Sequence, residues 1–595
     1  MGADKHSPRG LFLLGAIVLA YAVLATFVTN SYYQLMLTLV PVWAMFALAW
    51  NLFSGYSGML SFGHATFFGI GAYTVALAAS GLGISPWISI PVGAVLGAVA
   101  GLVIGAITFR LRGHYFALAM LAYPLALLYV LEYLRLSEVV FPMRRDAPVW
   151  FMQFEDPKVY TFLALGLAAA TFFLCLMIER SVFGISLRAA GENEAAAEAA
   201  GIDTFRIRLK ALVLSASLSA LAGGFYSVVL LIVTPPAVFG MLVSAQPMIM
   251  TMFGGMGTVW GPVIGASILV PLSETLRAEF GSILPGIQGI VYGATIIVVV
   301  LLAPQGVYWS LRERVARRKA GPQEAPQAPA ATADAVAAEP GRKRHIRDEA
   351  LLEARDVSKV FGGLRAVTDV SFVVRPGEIL GIIGPNGAGK TTLFNMLSGL
   401  IPPTHGQLLF EGASINGLKP NAICRLGIGR TFQVVRSFPR MTLLENATVG
   451  AFHAAPRHEE AEAAALAAID KVGLSGRLHA AMSELTNKEL RLMELARAIA
   501  SGPKLVLMDE PLAGLGRTES EEFLALIQRL AGEGLTVVII EHTMHVMVRL
   551  VDRLLVLDHG RLIAEGVPDD VLNQPAVTEA YLGKKWSRRA EAQLA

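Results

Sequence analysis

Charge and cysteine are the scarce materials of this 595-residue chain. Charged residues make up only 16% of it, against about 25% in soluble globular proteins, and the deficit is concentrated before residue 305. An ordinary set of soluble domains is therefore excluded for the first half. Two cysteines, Cys175 in an apolar stretch and Cys424 far along the chain, offer neither a disulfide framework nor a metal cluster. A net charge of +3 is too small for this length to point to nucleic acid, so no nucleic-acid partner is expected. Lys5 and Arg9 precede an apolar run without a clear small-residue cleavage site, so that run reads as a first membrane span.

What is abundant is hydrophobic length. A membrane-crossing helix needs about 20 mostly apolar residues. Blocks of this kind run over 11–28, 33–53, 59–79, 87–109, 115–134 and 159–178. A polar stretch, 179–210, follows, and then come 211–233, a long block at 241–272, and 287–303. Lysine and arginine placement sets the orientation. Arg180, Arg188, Arg206, Arg208 and Lys210 mark one loop, and Arg312, Arg314, Arg317, Arg318 and Lys319 mark the end of the apolar region. Both should be cytoplasmic. Three blocks between two cytoplasmic markers break parity, and 241–272 is interrupted by Gly254, Gly255, Gly257, Gly261 and Pro262. It divides into two short spans, or a span plus a re-entrant segment, and two spans there give about ten crossings.

Two features inside this region stand out. His64 follows a glycine-rich stretch from Gly55 that can break a helix and expose carbonyls. Intramembrane ionisable groups are functional candidates, although a histidine satisfied by backbone at the break is the plainer reading. In the polar loop, Ala195–Ala200 has high helix propensity, and Gly201 suits the left-handed residue that ends a helix. A short helix there, carrying Glu198, could dock on another protein.

We read residues 1–319 as a transmembrane permease-like domain and 320–347 as an Ala/Pro-rich flexible linker. As a coil that linker would span about 30 Å. It could not transmit force, which would have to pass through a docked surface such as the Glu198 loop. From 348 to 595, β-like runs alternate with helical patterns, as in a largely parallel α/β sheet.

The decisive motif lies in that last part. Gly384-Pro385-Asn386-Gly387-Ala388-Gly389-Lys390-Thr391, followed by Thr392, fits G-x-x-x-x-G-K-[ST] between an apolar strand and a helix. Its glycines let backbone N–H groups face a polyphosphate at a helix N-terminus. Lys390 can reach the outer phosphates, and the Thr391 hydroxyl can hold Mg²⁺. A second apolar run, Leu505 to Met508, ends in Asp509 and Glu510. Phosphoryl transfer to water needs a carboxylate on the metal and another beside the attacking water. A third run, Thr536–Ile540, ends in Glu541 and His542, which puts an imidazole at the same strand-end face.

These motifs are similar to those of an ABC-transporter ATPase over essentially the whole stretch from Leu351. The resemblance implies ATP and Mg²⁺ as cofactors. It implies that Phe361 stacks on adenine, that Gln433 links the ATP site to the membrane part and touches the metal, that Asp509 holds the metal, and that Glu510 and His542 are catalytic. Gly514-Leu515-Gly516 matches the loop that pairs across an ATPase dimer. The chain resembles branched-chain amino acid importers in particular, through Gly427–Phe438 with Met441–Asn446, through Gly55–Tyr73, and through Glu198-Ala199-Ala200-Gly201 as a coupling loop. Two departures matter. Permease and ATPase, usually separate chains in that family, are fused here. The signature segment, expected to resemble Leu-Ser-Gly-Gly-Gln, reads Leu485-Thr486-Asn487-Lys488-Glu489.

The expectation is a polytopic α-helical membrane domain of about ten spans fused to an α/β P-loop ATPase in a bacterial cytoplasmic membrane. It would be half of an ATP-driven importer for branched-chain or related hydrophobic amino acids. Expected partners are a second permease and a second ABC ATPase, an extracytoplasmic solute-binding protein, a small-molecule substrate and membrane lipid. Importers of an amide or a carboxylate share this resemblance. ABC exporters also join permease to ATPase, but they resemble six long spans running on into the cytoplasm.

Overall fold

A computed structural model describes residues 9–311, 314 and 346–582, apart from 112, 145, 281, 283–285, 303–305 and 456. Lys5, Arg112, the basic run beyond 311 except Arg314, and the expected linker except residues 346 and 347 lie outside the described residues. The described chain forms two compact units. One holds the residues up to 191 together with 205–314, and the other holds 192–204 together with 346–582.

The first unit is helical. Among the described residues, six helical stretches are long and apolar enough to cross a membrane by length and composition: Ser31–Gly55, Pro86–Thr108, His114–Tyr133, Lys158–Arg180, Thr204–Leu230 and Pro235–Gly254. At 20–27 residues they measure roughly 30–40 Å. Ser31–Gly55 is the central one, with 89% of its apolar window buried against 17–33% for the three that follow it. Trp50, Phe46 and Phe53 fill the core there.

The long 241–272 block is split, as its glycines suggest, into Met241–Gly254 and Trp260–Phe280. Gly255 turns at φ 128° and Gly257 at φ 81°. The two halves pack so tightly that a Cβ on Gly254 would lie 1.7 Å from the carbonyl oxygen of Gly261. Length and apolar composition alone do not reach ten crossings. Trp260–Phe280 carries Glu274, Arg277 and Glu279 near its end, and Ile287–Leu302 has only 16 residues.

His64 begins the helix His64–Gly81 and is fully buried. Its Nδ1 lies 2.8 Å from Ser61 Oγ and its Nε2 2.8 Å from Ser215 Oγ. Serine side chains therefore satisfy the ring, where backbone was expected, because Ser215 comes from Thr204–Leu230, far along the sequence.

The second unit contains a six-stranded sheet ordered 561–566, 553–558, 379–383, 536–540, 505–509 and 428–430. All neighbours are parallel except 553–558 with 561–566. Ile379–Ile383, Leu505–Asp509 and Thr536–Ile540 are buried at every residue. Continuous apolar runs with both faces covered are how parallel strands read. An antiparallel sheet of four strands, ordered 364–374, 352–361, 405–410 and 413–414, accompanies it. The parallel register sets Asp509 beside Ile540. Glu510, Glu541 and His542 thus emerge at one edge.

Candidate functional site: a phosphate loop facing two strand ends

The loop 384–389 joins Ile379–Ile383 to the helix Lys390–Leu397. Two of its glycines are demanded by space as well as by conformation. Gly384 has φ 155° and a Cβ there would sit 2.2 Å from Leu557 O; Gly389 has φ 96° and its Cβ would sit 2.4 Å from Ala366 O. Side chains at either position would push the loop off its support. Lys390 Nζ donates to the carbonyls of Gly384 at 2.7 Å and Pro385 at 3.0 Å, so it is folded over the loop. Burial pushes its pKa down, and the carboxylates of Glu510 and Asp509 oppose that. Thr391 and Thr392 stand in the first turn of the helix.

Across from the loop lies a chain of carboxylates and their partners. Glu510 takes the left-handed φ of 48°, a conformation that costs about 1–3 kcal/mol without glycine. Its amide donates to Ile540 O at 2.9 Å, which ties the bend to the neighbouring strand. One carboxylate oxygen lies 2.7 Å from His542 Nε2, and the other accepts from Gln433 Nε2 at 2.9 Å. Glu541 points elsewhere, accepting from the amides of Leu512 at 2.9 Å and His542 at 3.2 Å. It shapes the loop after Glu510.

Asp509 is only 2% exposed. Burial raises its pKa, while the Arg430 guanidinium 3.7 Å away opposes the rise. Its Oδ1 is buried with no hydrogen-bond partner among the described residues. An orphaned carboxylate oxygen in this position suits a cation. Phe361 stands apart from the cluster, 46% exposed at the end of Leu352–Phe361, with Lys359 Nζ 5.2 Å from its ring centroid.

The altered signature segment folds into a well-capped helix, Asn487–Ile499. The Thr486 hydroxyl accepts from the Glu489 amide, and the Glu489 carboxylate accepts in turn from the Thr486 amide at 2.8 Å. Asn487 Nδ2 donates to Gly514 O at 3.0 Å, Lys488 pairs with Glu522, and Arg477 pairs with Glu489 at 3.2 Å. Every polar side chain that departs from the expected pattern is engaged within this chain.

The 192–204 stretch belongs to this unit. Glu194–Ala199 forms a helix capped by the Asn193 side chain, and Gly201 follows at φ 85°. Glu198 accepts from the Thr204 hydroxyl at 2.8 Å, so its carboxylate serves the loop's own fold. The docking contacts lie at the helix end. Arg425 Nε donates to Gly201 O at 3.1 Å, and the His453 ring faces the Ala200 and Gly450 carbonyls. A Cβ on Gly201 would come within 2.8 Å of His453 Nδ1. Ala195 and Ala199 face Leu400, Ile423 and Phe432.

Sequence reasoning passed over Arg425, His453 and Arg491. Arg491 donates to the carbonyls of Phe432 at 2.9 Å and Gln433 at 2.7 Å, holding the Gln433 loop in place. A buried basic residue within a helix was the available signal, but its targets are far away in sequence.

Residues 32–300 match the family described as branched-chain amino acid transport system / permease component. Residues 367–513 match the ABC transporter family, and 561–586 match the family described as branched-chain amino acid ATP-binding cassette transporter. The high-affinity branched-chain amino acid transport ATP-binding protein BraF of Pseudomonas aeruginosa is 37% identical over 250 residues, which is 39% of this chain and 98% of that protein. Its counterpart LivG of Escherichia coli is 38% identical over 250 residues, again 39% of this chain and 98% of its own length. A crystal structure of a nucleotide-free ATP-binding cassette from an ABC transporter is 31% identical, covering 40% of this chain and 100% of that one with a TM-score of 0.38. The chain thus belongs to the branched-chain amino acid ABC transporter family and is an integral membrane protein that joins the family's permease component to its ATP-binding component in one polypeptide.

Proposed function

We propose that this chain is the fused permease/ATPase half of an ATP-driven importer for branched-chain or related hydrophobic amino acids. Residues 1–319 form the permease, 320–347 the linker and 348–595 the ATPase. The supporting observation is the Glu510 carboxylate held between His542 and Gln433 opposite a phosphate loop, in a chain whose residues 32–300 match a permease family.

The roles follow from chemistry. Lys390 exchanges the Gly384 and Pro385 carbonyls for nucleotide phosphates, and the loop amides take the phosphate oxygens. Phe361 stacks on adenine. Thr391, Asp509 and Gln433 would hold Mg²⁺, which would supply neutralisation of the phosphate charge. Glu510 orients and deprotonates water, with His542 fixing the carboxylate and contacting the outer phosphate. Gln433 leaves Glu510 when nucleotide arrives and so reports occupancy.

In this reading the ATPase faces the cytoplasm of a bacterial inner membrane. Closure of an ATPase dimer reaches the permease through the helix Glu194–Ala199, because Arg425 and His453 grip its carboxyl end. A second permease and ATPase complete the transporter, and a separate binding protein delivers the solute. The partner ATPase is different from this one. An ATP site in such a dimer pairs one chain's phosphate loop with the other's signature segment, and here Glu489 fills the helix N-terminus that would meet the anion. A homodimer would carry that defect twice. The helices also fit an importer, since none of the six spans runs far beyond bilayer length.

The test is isolation of the complex with its soluble partner and mass-spectrometric identification of the bound ligand. The reading expects a branched-chain or similar hydrophobic amino acid. A complex without a binding protein, or one loaded with an unrelated ligand class, would overturn the substrate assignment.

A further inference from the structure

Arg430 is buried, 8% exposed, and lies outside the set of groups given a role above. It ends the short strand Ile428–Arg430, three residues before Gln433. Its guanidinium touches three side chains on two elements. Nη2 donates to Asn395 Oδ1 at 2.8 Å and lies 3.7 Å from Asp509 Oδ2. Nη1 donates to the Ser398 hydroxyl. Asn395 lies on the helix that begins with Lys390 and Thr391, and Ser398 caps that helix. Nε is buried with no hydrogen-bond partner among the described residues.

The other side of Arg430 borders two narrow gaps under the helix Glu194–Ala199. Ala195 and Ala199 line one, and Ala196, Ala199 and Ala200 line the other. Alanines have no rotamers with which to absorb a neighbour's shift. The gaps are barely large enough for a water molecule, so a guanidinium displaced toward them would press on the helix that forms one of their walls.

We propose that Arg430 is a positioning residue that couples the seating of the 194–199 helix to the Asp509 carboxylate. This rests on the ATPase reading above. Asp509 shares its charge with Arg430 in the structure. A divalent cation taking that carboxylate would weaken its pull on the guanidinium and repel it, and the open volume beside Arg430 lies under the helix. The reverse follows by linkage: a helix pressed into its seat holds Arg430 against Asp509 and opposes the cation. The planar fork matters, because a lysine can hold one of these partners but cannot bridge Asn395, Ser398 and Asp509 together. A merely structural arginine would change stability without changing this coupling.

Hydrogen exchange of residues 194–201 tests the proposal in the full chain reconstituted in lipid nanodiscs, with Glu510→Gln blocking turnover. ATP binding is measured on the same samples with and without Mg²⁺, so a failure of the ATPase reading shows there independently. With Arg430 present, ATP plus Mg²⁺ should alter exchange in 194–201 more than ATP with a chelator does. Arg430→Met should bind ATP and lose that Mg²⁺-dependent difference, and Arg430→Lys should restore part of it. Retention of the full difference in Arg430→Met would overturn the proposal. A second variant approaches from the helix side and leaves the site intact. Ala199→Val, which fills a gap, should shift the Mg²⁺ concentration for half-maximal ATP binding by about fivefold or more. An unchanged Mg²⁺ dependence would overturn it equally.

Discussion

Glu510 Oε1 lies 2.7 Å from His542 Nε2, across two parallel strands whose register places Asp509 beside Ile540. The same carboxylate also holds Gln433, so one residue at a strained φ of 48° joins the strand ends to the Gln433 loop. Glu510→Gln should lower ATP turnover by about 100-fold or more, since general-base contributions are of that order. Nucleotide binding should persist. Turnover rates together with retained nucleotide after gel filtration check this, and unchanged turnover would remove Glu510 from the reaction.

The signature segment predicts a trade between stability and activity. Thr486→Ala should destabilise the ATPase by about 1 kcal/mol, because the hydroxyl caps Asn487–Ile499. Changing Asn487 and Lys488 to glycine and Glu489 to glutamine should lower stability as well, through loss of the Lys488–Glu522 and Arg477–Glu489 pairs. It should nonetheless raise ATP hydrolysis by the chain on its own, because the helix N-terminus is freed for an anion. Denaturation and hydrolysis measured on one preparation would show whether the two move in opposite directions.

Gly201 offers a probe of the docked loop. At φ 85° and with His453 Nδ1 within 2.8 Å of the would-be Cβ, Gly201→Ala carries both backbone strain and a clash. The expected cost is about 1 kcal/mol or more. It should appear as faster hydrogen exchange in 194–204 with little change in ATP affinity measured without Mg²⁺. Weakened ATP binding instead would show that the loop's seat is part of the nucleotide site.

His453 gives a pH dependence whose sign is fixed. Burial, the dominant cause, lowers its pKa below 6.5, against the raising effect of the Ala200 carbonyl. Between that lowered value and 6.5 the unfolded chain binds more protons than the folded one, so this group's contribution falls as pH falls through 6.5. The buried Glu494, Asp509 and Glu541, with raised pKa values, push the other way in acid. Comparison with His453→Gln isolates the histidine. Stability of the native chain relative to this variant should decline from pH 7 to pH 5, and a flat difference would contradict the assignment.

Much of the ATP-binding half was legible in sequence because its determinants are local. The phosphate loop needs closely spaced glycines, at 384, 387 and 389, and fully buried strands announce themselves as apolar runs leading into Asp509 and His542. Gly201 was legible for the same reason. Contacts that join distant segments were not. Nothing near His64 names Ser215, and nothing near Gly201 names Arg425, 224 positions away. The number of spans was also hard to read. The glycines of 241–272 mark its division, but Trp260–Phe280 carries three charged residues near its end and Ile287–Leu302 has only 16 residues, so hydropathy alone does not count the crossings.

Solute accumulation in proteoliposomes is the most direct test of import driven by this ATPase. The complex would be reconstituted with its second permease and ATPase, ATP and Mg²⁺ sealed inside, and labelled branched-chain amino acid with binding protein outside. Accumulation against the gradient, abolished by Glu510→Gln on this chain, is the predicted result. Outward movement of solute, or accumulation that survives Glu510→Gln undiminished, would contradict it.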